Sequence, residues 1–180
     1  NTNTVSAAGT YSVTVTDPVN GCTASASVAV AQNIAVPDVS IAPPADLTCT
    51  VTSVTLTASS STVGVSYDWG GGITTATNTV SAAGTYSVTV TDPINNCSAS
   101  TSTTVNQNIV IPNVSISPPA DLTCTVTSVT LTASSSTVGV SYDWGGGVTT
   151  ATNTVSAAGT YSVTVTDPVN GCTASASVAV

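Results

Sequence analysis

Lysine, arginine, histidine, methionine and phenylalanine are all absent from this sequence of 180 residues. Its only acidic residues are eight aspartates, so the formal net charge is −8. Without a cationic side chain the chain cannot neutralise phosphate groups, which excludes nucleic-acid binding and attraction to anionic lipid surfaces. No apolar run is long enough to cross a bilayer, so we expect no membrane insertion.

The missing side chains also remove most of the groups that enzymes use. No imidazole, ammonium or glutamate group is present to activate the many serines or to act as a general base. Calcium is an alternative use for Asp68 and Asp92, but a calcium site needs six to eight oxygen ligands, usually from acidic residues close together. These aspartates stand singly, and Asp92 suits a turn. We therefore expect no catalysis, no cofactor and no metal.

The main feature of the sequence is internal repetition. The segment GTYSVTVTDPVNGCTASASVAV occupies residues 9–30 and recurs without change at residues 159–180, with a variant at 84–105. Equivalent positions are 75 residues apart, and residues 2–30 equal residues 152–180, which suggests a two-unit superperiod. Such periodicity is typical of a tandem array. It divides the chain into residues 1–33, 34–108 and 109–180. We expect residues 1–33 to be the last strands of a unit that an upstream segment or a neighbouring molecule completes.

Each unit has the pattern of an antiparallel β-sandwich. Apolar and polar residues alternate with a period of two, which predicts Val54, Leu56 and Ala58 on one buried face and Val88 and Val90 on another. Turn residues punctuate the pattern every 8–12 residues, and no segment has helical periodicity. We predict an all-β fold of about seven strands per unit.

The five cysteines fall at two repeating places. Cys49 and Cys124 come early in a unit, and Cys22, Cys97 and Cys172 come late. Paired cysteines in small, loop-rich units are typical of disulfide frameworks in oxidising compartments, so we expect an extracellular protein. The predicted pairs are Cys49–Cys97 and Cys124–Cys172, with Cys22 bonded to a cysteine outside this sequence. The alternative is a bond between neighbouring units, from Cys49 to Cys172.

Two motifs resemble those of known bacterial surface repeats. SYDWGGG places a tryptophan on the third strand, and AGTYSVTVTD enters the sixth, as in immunoglobulin-like sandwiches. The units resemble polycystic-kidney-disease-type domains and the Cys-paired repeats of gliding-motility adhesins, which carry cysteines where Cys124 and Cys172 stand. The likeness implies tandem immunoglobulin-like units of about 75 residues in a secreted or cell-surface protein.

Aromatic residues have structural roles in this interpretation. Trp69 and Trp144 fill the sandwich core, although stacking on sugars is an alternative for both. Tyr11, Tyr86 and Tyr161 are also expected to belong to the structural core, and they match the tyrosine-corner position, whose hydroxyl bonds back to the chain.

Linkers of the form QNIAVP and QNIVIP join the units. We expect Pro37 and Pro112 to fix the direction of the chain. The apolar residues of these junctions are expected to be buried against both neighbouring units; they are Ile34, Val36, Ile109 and Ile111.

The sequence thus predicts a non-catalytic structural part of an extracellular filament or stalk, whose partners are further copies of itself. Exposed serine and threonine are plausible attachment points for covalent glycans, and Asn96 and Asn113 fit the N-glycosylation pattern. A cell-surface adhesin or glycan-binding array is the alternative function.

Overall fold

The computed structural model describes residues 1–180 and consists of β-strands, turns and extended segments without a helix. Accordingly, the chain has no helical segment of the length and apolarity that crossing a membrane requires. The all-β prediction is confirmed. The sixteen strands are β1 (Gly9–Thr16), β2 (Thr23–Val30), β3 (Ser40–Ile41), β4 (Leu47–Thr48), β5 (Val54–Ser59), β6 (Ser66–Asp68), β7 (Thr77–Val80), β8 (Gly84–Thr91), β9 (Ser98–Val105), β10 (Gln107–Asn108), β11 (Ser115–Ile116), β12 (Val129–Ser134), β13 (Ser141–Asp143), β14 (Thr152–Val155), β15 (Thr160–Thr166) and β16 (Thr173–Ala179).

Residues 34–108, here called the first repeat, form two three-stranded sheets. One has the order β3-β5-β7 and the other β6-β8-β9, and all their neighbours are antiparallel. The short strand β4 pairs in parallel with β10, which directly follows β9. Residues 109–180, the second repeat, contain the same pair of sheets in the orders β11-β12-β14 and β13-β15-β16.

Alternating side chains on facing strands build the core of each repeat. In β5 every second residue is buried, and Leu56 is fully enclosed. Val88 and Val90 of β8 are likewise inaccessible to solvent, as the alternation predicts. The second repeat buries the equivalent residues Leu131, Val163 and Val165. Valine and threonine suit this arrangement because their branched side chains pack well on a pleated surface with one wet face.

The first hairpin, β1–β2, pairs along its whole length but has no second sheet to cover it. Its Val13 and Val15 are 59% and 64% exposed, whereas the equivalent residues of the identical segment, Val163 and Val165, are 0% exposed. The uncovered face forms an open groove of about 280 Å³ beside Tyr11. The difference in burial is therefore a tertiary effect, since the two sequences are identical.

The prediction that the apolar linker residues are buried is wrong. Ile34, Val36, Ile109 and Ile111 are all between 50% and 65% exposed, and only Pro37 and Pro112 are buried. The reason is that polar contacts hold the linker. Asn170, in a turn of the second repeat, donates hydrogen bonds to Asn108 Oδ1 and to Val110 O, so the linker isoleucines are not needed at the junction.

A core substitution tests the sandwich. We expect Leu56→Ala to lower the free energy of unfolding of the first repeat by about 2–5 kcal/mol, because it removes a fully buried side chain and leaves a cavity. Urea denaturation followed by Trp69 fluorescence, in a Trp144→Phe background, measures it, since Trp69 packs against the same cluster as Leu56. Thr57→Ala on the exposed face of the same strand is the control and should change stability by less than about 0.5 kcal/mol. Equal effects of the two substitutions would contradict the assigned faces.

A difference between the repeats gives a pH test. Hydrogen bonds from the Ser61 side chain and backbone, and from Ser60, lower the pKa of Asp38 from its usual 3.8. Asn113 holds the equivalent serines in the second repeat with the same geometry but cannot titrate. A carboxylate with a lowered folded pKa stabilises the fold above pH 3.8, and this stabilisation is lost as the pH falls through the folded pKa. We expect Asp38→Asn to remove this acid-dependent loss, measured as the urea midpoint of the first repeat between pH 5 and pH 2.

Candidate functional site, the joint between the repeats

Two repeats are joined covalently in the structure. A disulfide links Cys49 of the first repeat to Cys172 of the second, with the Cα atoms 5.1 Å apart and a sequence separation of 123. The predicted pairs Cys49–Cys97 and Cys124–Cys172 are therefore wrong, and the alternative bond between neighbours is the one present. Cys22, Cys97 and Cys124 are free thiols.

Strand direction explains why the bond lies between repeats. Cys49 directly follows β4, which pairs with β10 at the end of the first repeat. Cys97 directly precedes β9, and the eight residues of this strand separate it from that end. At about 3.3 Å per residue the strand spans about 26 Å, whereas bonded cysteines need Cα atoms within about 7 Å. The two cysteines of one repeat thus lie at opposite ends of it.

Two kinds of turn meet at the joint. We name residues 48–51 and 123–126 the early turns, and residues 17–22, 92–97 and 167–172 the late turns. In the early turn of the first repeat, Thr48 N donates to Val51 O at 2.9 Å, and Thr48 Oγ1 accepts from Val51 N at 2.9 Å. In the late turn of the second repeat, Asp167 O accepts from Gly171 N at 2.8 Å, and Asp167 N donates to Cys172 O at 2.9 Å.

Aspartate at the start of each late turn has a local role. Asp167 Oδ1 accepts a hydrogen bond from Val169 N at 2.9 Å, and Asp92 Oδ1 accepts one from Ile94 N at 2.8 Å. Asp68 does the same for Gly70 N at 2.7 Å before the glycine bend. These carboxylates shape turns, and no group of three or more potential metal ligands forms in the structure.

Asn170 fastens the late turn to the chain that connects the repeats. Its Nδ2 donates to Asn108 Oδ1 at 3.1 Å and to Val110 O at 2.9 Å, and its Oδ1 accepts from Cys172 N at 2.8 Å. Its backbone carbonyl accepts a hydrogen bond from Cys49 N at 3.1 Å. Asn170 is only 2% exposed. All polar atoms of this buried amide have hydrogen-bond partners. Separating the repeats would remove partners, and each buried polar group left unsatisfied costs about 1–3 kcal/mol.

Gly171 lies at the joint where an added side chain would meet the first repeat. Its φ is +69°, in the left-handed region, and a Cβ atom there would meet Thr50 Cγ2 at 2.5 Å and Thr50 Oγ1 at 3.0 Å. Gly21 has nearly the same φ, +73°, in the first hairpin, but no atom lies within 4 Å of its Cβ position. The late turn of the first repeat carries Asn96 at this place, with φ of 57°.

The late turn of the first repeat is also fastened to the linker before it. Asn95 Nδ2 donates to Asn33 Oδ1 at 3.1 Å and to Ala35 O at 2.9 Å, which repeats the contacts of Asn170. Sequence reasoning missed these asparagines. The available signal was that asparagine stands two residues before the late cysteine in all three copies, while the residue between them changes from glycine to asparagine.

Four of the five predicted core aromatic residues are partly buried against a core, and Tyr11 is not. Trp69 and Trp144 pack against the two cores, and their indole nitrogens donate to Thr75 O and Thr150 O at 3.0 Å. The hydroxyls of three tyrosines donate to the backbone carbonyl four residues earlier, each at 2.9 Å; they are Tyr11, Tyr86 and Tyr161. Tyr86 and Tyr161 contact a core, whereas Tyr11 lies on the uncovered hairpin.

Peptide mapping tests the pairing without trypsin, for which the chain has no cleavage site. An endoproteinase that cleaves before aspartate places each cysteine in a different fragment, because an aspartate stands between every two cysteines. After alkylation of free thiols and digestion without reductant, we expect fragments 46–67 and 167–180 to be joined. A bond between fragments 46–67 and 92–120 would show that Cys49 pairs with Cys97 within one repeat, and would contradict the bond between the repeats.

Two glycine substitutions separate the contact at the joint from backbone strain. We expect Gly171→Ala to weaken formation of the Cys49–Cys172 bond about tenfold or more in a glutathione redox buffer, since overpacking costs about 1–3 kcal/mol. Gly21→Ala introduces the same left-handed alanine where no atom is near, and should leave this bond unchanged. If both substitutions, or neither, alter its equilibrium, the contact with Thr50 does not determine the fit.

No protein-family model matches the chain, and no curated protein matches it either.

Proposed function

We propose that this chain is a non-catalytic structural segment of an extracellular filament or stalk, built from immunoglobulin-like repeats that are stacked and locked to one another. The observation that carries the proposal is the Cys49–Cys172 bond between consecutive repeats. A disulfide within a domain stabilises that domain, whereas this bond constrains the position of one repeat against the next. A part that transmits force or maintains a spacing needs such a constraint.

The strand order supports the immunoglobulin-like assignment. Sheets of the orders β3-β5-β7 and β6-β8-β9 correspond to the two sheets of an immunoglobulin-type sandwich. The tyrosine hydroxyl bonded to the chain four residues earlier and the tryptophan directly after β6 fit the same architecture. The resemblance to polycystic-kidney-disease-type domains and to the repeats of gliding-motility adhesins remains an interpretation of these motifs.

The disulfide supports the proposed localisation outside the cell. Disulfides persist in oxidising compartments and are rare where thioredoxin and glutathione keep thiols reduced. Threonine and serine occupy the exposed faces of the strands and can carry covalent glycans there, as the composition predicts. The partners in this proposal are further repeats of the same kind.

In this proposal the joint is stiffened by covalent and polar contacts, and not by the apolar linker residues that the sequence predicts to be buried. Ile109 and Ile111 are at least half exposed, so they do not form a buried apolar contact between the repeats. The disulfide, the Cys49 N to Asn170 O bond and the asparagine clamp on Asn108 take that role instead.

The alternative, a glycan-binding array, would use exposed aromatic rings as a platform. Trp69 and Trp144 instead pack against the cores and donate their indole hydrogens to backbone carbonyls. No specific contact in the structure favours a sugar site at either ring, so the filament is the better-supported function.

Small-angle scattering and negative-stain electron microscopy of the monomeric chain test the proposal. We expect a narrow distribution of angles between the two repeats, and a clearly broader one for the double variant Cys49→Ser with Cys172→Ser, since the covalent constraint is then gone. Cys97→Ser, which removes a thiol outside the joint, is the matched control and should match the parent chain. The same distribution in all three proteins would contradict a structural role for the joint, and specific capture on a glycan array would favour the adhesin.

A further inference from the structure

Two of the free cysteines lie in turns that are identical to those of the bonded pair. Residues 121–126 and 46–51 both read DLTCTV, and residues 16–22 and 166–172 both read TDPVNGC. Cys124 and Cys22 are exposed thiols without a partner. The chain therefore presents one unoccupied early turn and one unoccupied late turn of the type that meets in its own joint.

Both turns already have the hydrogen bonds within the turn that their copies have in the joint. In the late turn, Asp17 O accepts from Gly21 N at 2.8 Å, and Asn20 Oδ1 accepts from Cys22 N at 2.8 Å, as in the bonded copy. In the early turn, Thr123 N donates to Val126 O at 2.9 Å, and Thr123 Oγ1 accepts from Val126 N at 3.0 Å. Neither turn needs reshaping before it docks, which lowers the cost of association.

The groups that would meet across such a contact are free. Cys49 N donates to Asn170 O in the joint, whereas the equivalent Cys124 N and Asn20 O take part in no backbone hydrogen bond. Open space surrounds Gly21, so it can accept a threonine side chain as Gly171 accepts Thr50. Here that threonine is Thr125.

We propose that the early turn at Cys124 is a docking site for the late turn at Cys22 of a second copy of this chain, and that a disulfide closes the contact. The inference rests on the proposed stacking of repeats. Each copy offers one turn of each kind, so the contact is heterologous and head to tail, and it propagates into linear oligomers.

The residue before each late cysteine determines which late turn fits the early turn at Cys124. The third thiol, Cys97, follows Asn96, whose Cβ atom would occupy the position that Thr50 excludes at Gly171. Its late turn is therefore the poorer partner for Cys124.

Thiol–disulfide exchange with oxidised glutathione supplies the oxidant. The Cys22 thiolate attacks one sulfur of oxidised glutathione. A mixed disulfide forms between Cys22 and this sulfur, and the other glutathione leaves as a thiolate. The Cys124 thiolate of the second copy then attacks the Cys22 sulfur and expels the second glutathione thiolate. Two protein thiols lose two electrons, and one glutathione disulfide is reduced to two glutathione molecules.

The test uses the full chain with its Cys49–Cys172 bond intact, incubated in a buffer of oxidised and reduced glutathione. We expect a ladder of covalent oligomers on non-reducing gels. Cys22→Ser and Cys124→Ser should each be monomeric alone and should give only dimers when mixed in equal amounts. Digestion before aspartate should yield fragment 17–37 joined to fragment 121–142.

Two matched variants test the role of glycine. Gly21→Ala should lower the yield of oligomers about tenfold, because the alanine Cβ meets Thr125, whereas Cys97→Ser should leave the ladder unchanged. The proposal is overturned if the parent chain stays monomeric, if fragment 17–37 joins itself within the dimer, or if fragment 92–120 carries the crosslink. A ladder unaffected by Gly21→Ala overturns it too. None of these outcomes alters the scattering of the monomer, so the proposed function is tested separately.

Discussion

A β-hairpin with apolar side chains on one face cannot bury that face by itself, and the architecture of this chain follows from that constraint. Val88 and Val90 of one hairpin are fully enclosed because the sheet containing β5 and β7 covers them. The hairpin β1–β2 has the same backbone pairing without a covering sheet, and its valines are exposed. Backbone hydrogen bonding therefore forms the hairpin, whereas burial against a second sheet makes it part of a stable unit.

Each repeat is small, so its core contributes only a modest stabilisation. Placing the disulfide between repeats leaves each core to hold its own strands, and it uses the covalent bond where there is least apolar contact. The linker residues Ile109 and Ile111 are exposed, and the joint depends on polar groups that are buried and satisfied, chiefly Asn170. This division suits an array in which units fold separately and are then fixed to their neighbours.

The joint contains one close backbone approach that depends on a missing side chain. Gly171 permits the early turn to approach its backbone so closely that any Cβ atom would meet Thr50. The copies of the late turn differ at this position, glycine at residues 21 and 171 and asparagine at residue 96. The late turn of the first repeat therefore carries a Cβ atom at the place where the bonded late turn has none.

The sequence by itself determined the features that depend on local pattern. Alternation placed Val54, Leu56 and Ala58 inside, and the tyrosine hydroxyls and the aspartate turns follow from residues close in the chain. Only the tertiary structure decided the partner of Cys49, because that depends on which ends of two repeats meet, and both pairings have the same local sequence. It likewise decided that the linker isoleucines stay exposed and that identical valines are buried in one hairpin and open in another. Burial depends on what lies opposite a face, and no local pattern encodes that.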